Sequence, residues 1–177
     1  MRSVRNLVLL VLVGAFLLGV WSTHRPRPAR SEPSSKPPFR TAAESRAHTG
    51  QPTARLTGVE TSRQDGFDRV EFTFDGAVPS WRVGYAPVVR DGAGGVLALQ
   101  GRAPLAVAFR PAQAHDPGGS SSFGPQSRTP GYGSLRQVRL AGDIEGRVRF
   151  GLGLGARAGF RVLEATGPPR IIVDIRA

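Results

Sequence analysis

Gly66-Phe67-Asp68-Arg69-Val70-Glu71-Phe72-Thr73-Phe74-Asp75-Gly76 decides the fold class. Val70, Phe72 and Phe74 alternate with Glu71 and Thr73, a period of two that gives a strand one apolar and one polar face. Asp-Gly pairs close both ends, at Asp65-Gly66 and Asp75-Gly76. Such pairs supply the positive φ that tight hairpins need.

The same alternation recurs outward in both directions. Leu56 to Thr61, Trp81 to Tyr85, Val96 to Gln100, Leu105 to Phe109 and Val138 to Leu140 read as strands. Val148 to Leu154, Phe160 to Val162 and Ile171 to Ile175 complete the series. Turn clusters such as Asp91-Gly92-Ala93-Gly94-Gly95 and Gly167-Pro168-Pro169 separate them. With 23 Gly and 15 Pro and no helical apolar stripe after the leader, the chain predicts an all-β fold. The expected architecture is an antiparallel β-sandwich of about eight to nine strands over residues 56–177.

Ahead of this domain the composition changes twice. Arg2 and Arg5 precede Leu7 to Trp21, an unbroken run of apolar residues and glycine. Residues 1–22 therefore read as a signal peptide or an uncleaved signal anchor. The run is short for a spanning helix, which needs roughly 17 to 25 residues. Arg25, Arg27, Arg30, Lys36 and Arg40 behind it favour a cytoplasmic downstream side. The leader pattern outweighs them, and export is expected. Residues 23–55, rich in Pro, Arg and Ser, are expected to form a disordered linker. Pro111 to Gly133 is also expected to be disordered, with Phe123 and Tyr132 as its anchors for a partner.

The net charge of +11 is uneven. Residues 1–55 hold nine basic and two acidic side chains, and the remainder fifteen and eleven. A folded part so mildly basic argues against specific nucleic-acid recognition, and polyanion binding would fall to the linker. Zero Cys excludes thiol chemistry, disulfides and Cys-based zinc sites, and three His leave little for a metal cage. No cofactor or metal is expected.

Few residues suggest catalysis. His115-Asp116 with Ser120 to Ser122 reads as a capped turn, because a triad needs a rigidly held base. Asp143 and Glu145 would share a face of an extended segment, where paired carboxylates can act on a sugar or hold a cation. Gly142 to Gly146 reads more simply as a hairpin turn with solvated acids. Gly151-Leu152-Gly153-Leu154-Gly155 lacks the ending of a phosphate-binding loop and suits a strand crossed closely by another backbone. Trp81 and Tyr85, with Arg82 between, read as core packing, with a stacking surface as the alternative.

Three blocks carry a family resemblance. Gly66 to Gly76 resembles the opening strand of the AMIN-like domain of actinobacterial envelope proteins. Ala141 to Gly146 running into Phe150 to Leu154 resembles its central block, and Phe160 to Val162 with Pro168 to Ile175 its closing strand. The resemblance implies a small, exported, non-catalytic β-sandwich that binds peptidoglycan or an envelope protein. Asp68 and Arg69 match its opening block and Arg170 and Asp174 its closing one, and these four read as a charge pairing between the two strands, with a ligand role as the alternative. The resemblance points for ligand contact to Arg139, Asp143, Glu145 and Arg147, with carboxylates accepting from sugar hydroxyls and arginines pairing with stem-peptide carboxylates. The rival readings are a polyanion binder acting through the linker and a glycan-acting enzyme using Asp143 and Glu145.

Overall fold

A computed structural model describes residues 36–177, all in strands, turns and irregular chain. The leader and the first part of the expected linker lie outside the described residues. Among the described residues no helix is long and apolar enough to cross a membrane.

Eleven strands run in chain order: β1 (Glu44–Arg46), β2 (Ala54–Gln64), β3 (Phe67–Asp75), β4 (Ser80–Tyr85), β5 (Ala103–Arg110), β6 (Ala112–Gln113), β7 (Ser127–Arg128), β8 (Leu135–Ile144), β9 (Arg147–Leu154), β10 (Phe160–Thr166) and β11 (Pro169–Arg176). One sheet has the order β10-β11-β3-β2-β6 and the other β1-β4-β5-β9-β8-β7. All pairings are antiparallel except β2 with β6. Two-residue turns close the β2–β3 and β8–β9 hairpins, since Gln64 pairs with Phe67 and Ile144 with Arg147.

The period-two alternation dictates the core. Val70, Phe72 and Phe74 of β3 are buried, as are Leu105, Val107 and Phe109 of β5 and Val148, Phe150, Leu152 and Leu154 of β9. Phe72 meets Phe109 and Phe150 with ring centroids 5.0 Å apart, joining the two sheets through tilted and edge-on aromatic contacts. Each fully buried Phe contributes roughly 1.5–3 kcal/mol over an exposed one. Trp81 is buried in this core and Tyr85 packs against it, so both serve packing.

Three expectations are corrected. Val96 to Gln100 is not a strand: it makes one isolated bridge, Arg90 to Val96, and drapes across the outer face of the six-stranded sheet. Its apolar pattern is genuine, because Leu97 is buried beside Val89 and Ala141, but the backbone bonds to its own loop at Val89 rather than to a strand of the sheet. The glycines of β9 make room for it. A Cβ on Gly153 would lie 2.0 Å from the Gln100 carbonyl oxygen, and one on Gly151 2.7 Å from Leu99.

Pro111 to Gly133 is ordered, not disordered. It contains β6 and β7, and buried Phe123 packs on Phe150 at 5.6 Å. Asp116 accepts from the Ser120 amide and the Ser122 hydroxyl donates to the Leu56 carbonyl, so short polar side chains satisfy the backbone where composition alone suggests disorder. His115-Asp116 with Ser120 to Ser122 is the expected capped turn.

The third correction concerns the linker, which from Lys36 onward lies against the domain. Arg40 exchanges two backbone hydrogen bonds with Phe160 of β10, and β1 then pairs with β4. This short piece steps from the edge of one sheet to the edge of the other and seams that side of the sandwich. Gly159 and Gly84 admit it: added Cβ atoms would lie 3.0 Å from Phe39 and 2.8 Å from Ala43.

Candidate functional site

The outward positions of the six-stranded sheet fall into two areas. Toward one end, the 86–101 segment covers Gly151 and Gly153, and Arg149 donates to the Asp91 carbonyl beneath it. The other end is open. There Arg82, Arg110 and Arg147 alternate with buried Trp81, Phe109 and Val148 and are exposed. They border a cavity of about 380 Å³ whose fourth side is β1, through Ser45 and Arg46. Arg110, Arg147, Ala47 and Ser80 are shared with an adjoining cavity of about 420 Å³ that reaches His48 and Glu145. Among the described residues, no hydrogen bond or ion pair engages the side chains of Arg82, Arg110 or Arg147. An open concavity with unpaired guanidiniums around Ala108 is suited to bind anions, carboxylates above all.

The seam fixes one wall. Glu164 of β10 accepts from the Trp81 indole, from His48 at 3.0 Å and from Arg46 at 3.3 Å. Burial raises the Glu164 pKa, but the hydrogen bonds from Trp81 and His48 and the charge of Arg46 more than offset it, leaving the carboxyl below its ordinary range. Ser80 and His48 also exchange backbone-to-hydroxyl hydrogen bonds, so the chain after β1 is held on both sides.

Of the four residues expected at a site, the structure gathers two. Glu145 and Arg147 line the cavity near His48. Arg139 instead donates to the Ala98 carbonyl at 3.1 Å, under the covered half. One Asp143 oxygen is engaged by the Ala114 amide at 2.9 Å and by His115, so this residue organises the 111–133 segment. Asp143 and Glu145 thus do not face one cavity as an acid–base pair would. The Glu145-Gly146 turn is the expected hairpin, but only Glu145 is the solvated acid there.

Sequence reasoning missed Arg110 and the β1 wall as site elements, and weighed Arg82 only with Trp81 and Tyr85. Outward alternation on β4 and β5 is the signal available for both arginines. Their convergence with Arg147 depends on the spatial order β4-β5-β9.

The outer face of the five-stranded sheet treats its arginines differently. Fully buried Asp174 receives Arg69 through two bonds of 2.7 and 3.0 Å and Arg161 at 3.0 Å. The hydrogen bond to Asp174 raises the Arg69 pKa further above its ordinary value, burial opposing. Arg170 pairs with Glu71 at 2.8 Å rather than with Asp174. Asp68, also fully buried, accepts the Ser134 and Leu135 amides, both at 2.8 Å. The expected pairing between opening and closing strands therefore holds for Arg69 with Asp174. Phe39 stacks over Arg161, 4.4 Å from ring centroid to guanidinium carbon.

No curated protein and no solved structure matches the chain. Residues 54–177 match the AMIN-like domain, a span that takes in β2 through β11 and leaves β1 outside it. With the match covering most of its length and the sandwich it implies in place, the chain belongs to the AMIN-like domain family.

Proposed function

We propose that this protein is a non-catalytic, extracytoplasmic binding module that recognises peptidoglycan, using the open half of the six-stranded sheet. AMIN-like domains are in general peptidoglycan-associated binding domains of extracytoplasmic proteins. The observation that carries the reading to a surface is the groove whose arginines, Arg82, Arg110 and Arg147, have no carboxylate of their own. Arg147 within it and Glu145 in the adjoining cavity are the ligand contacts, while Arg139 and Asp143 support neighbouring loops.

Co-sedimentation of the full chain with purified sacculi tests this. Pelleting that survives physiological salt is the expected result. Pelleting at low salt alone would favour a polyanion binder acting through its arginine-rich linker, because phosphate and carboxylate polymers lose such contacts steeply with salt. No pelleting at either salt would sink wall recognition.

A further inference from the structure

Resting on that reading, we propose that the groove takes a peptide end carrying both a carboxylate and an ammonium group. The carboxylate lies against Arg82, Arg110 and Arg147, and the ammonium against Glu145. The arginines alone would admit any anion, including a polyphosphodiester. Glu145 selects among these, because a carboxylate on the rim disfavours a pure polyanion and favours a ligand with a positive group.

Glu145 also occupies a position that the turn does not explain. Its φ is 53°, and it is the only non-glycine residue among those described with a positive φ. Two-residue hairpins of this kind favour Asn, Asp or Gly there, residues that tolerate the left-handed region. Among the described residues the Glu145 side chain has no hydrogen bond or ion pair, although it borders the same cavity as Arg110 and Arg147. A strained position occupied by an unpartnered carboxylate at a cavity rim points to a ligand. Between the arginines, Ala108 is the small outward residue of β5 that leaves the concavity open.

The test titrates the full chain with synthetic Ala-Glu-Lys bearing free carboxylates and a free lysine amine. Its comparators are the carboxyl-amidated peptide, the amine-acetylated peptide and inorganic polyphosphate. Amidation of the peptide, or Arg147→Gln in the protein, is expected to weaken binding about tenfold. Acetylation should weaken binding to the parent protein and leave Glu145→Gln indifferent. Glu145→Asn, which suits the turn better, should fold at least as stably and show the same indifference. Absent binding of the tripeptide, tighter binding of polyphosphate, or unchanged discrimination in both Glu145 variants would overturn the proposal. The two readings fail separately. An Arg82→Gln, Arg110→Gln, Arg147→Gln protein that still pellets with sacculi removes the groove and keeps the module, whereas a parent protein that does not pellet removes wall recognition.

Discussion

Both outer faces of the sandwich present arginines, and the fold uses them in opposite ways. On the five-stranded sheet, Arg69 and Arg161 share Asp174, Arg170 has Glu71, and Phe39 stacks over Arg161. On the six-stranded sheet, Arg82, Arg110 and Arg147 border an open concavity and no acid pairs with them. Cations that a fold needs are given counter-charges from the same fold. Cations without them stay available to a partner that brings its own negative charge, as the proposed reading requires. Both sets sit at alternating outward positions, so residue type alone does not separate them.

The sharpest way to break this comparison is Asp174→Ala. It leaves two arginines beside a vacated buried site and should cost about 3–5 kcal/mol in urea unfolding, since breaking a buried pair strands its partners. If the loss were only a few tenths of a kcal/mol, the five-stranded face would be no more structural than the groove. A smaller effect is expected at the seam. The folded Glu164 pKa lies below its ordinary value, so its contribution is fully present above the ordinary glutamate range and is lost as pH falls through the folded value. Acid should loosen β1 from β4, read as falling amide-exchange protection factors at residues 44–46, and Glu164→Gln should flatten that dependence. The smallest effect belongs to the groove itself: Arg82→Gln and Arg110→Gln should each change stability by no more than about 0.5 kcal/mol while binding falls. A destabilisation as large as that of Asp174→Ala would place these arginines with the structural set.

The residues that made the fold legible are those whose alternation survives burial. Val70-Glu71-Phe72-Thr73-Phe74 became β3 with every apolar member inside, and seven other expected strands followed. Val96 to Gln100 misled because Leu97 and Leu99 do pack on a sheet, from above rather than within it. The short strands β1, β6 and β7 have two or three residues each, too few to display a period. The site was legible in part. Glu145 and Arg147 stand beside a turn that Gly146 announces. Arg82 and Arg110 come from strands distant in sequence, and Ser45 and Arg46 from a stretch whose composition resembles a linker. Topology, which no local pattern encodes, brings them to one concavity.

The seam between the sheets has a mechanical consequence. The chain enters the described domain at Lys36 and is first held by the Arg40–Phe160 pair and then by the three residue pairs of β1 with β4. Tension applied ahead of Lys36 reaches these few bonds before it reaches the core. As they yield, Ser45 and Arg46 leave with them and the groove loses a wall. The wall of the proposed groove is thus only as secure as the three residue pairs that hold β1 to β4.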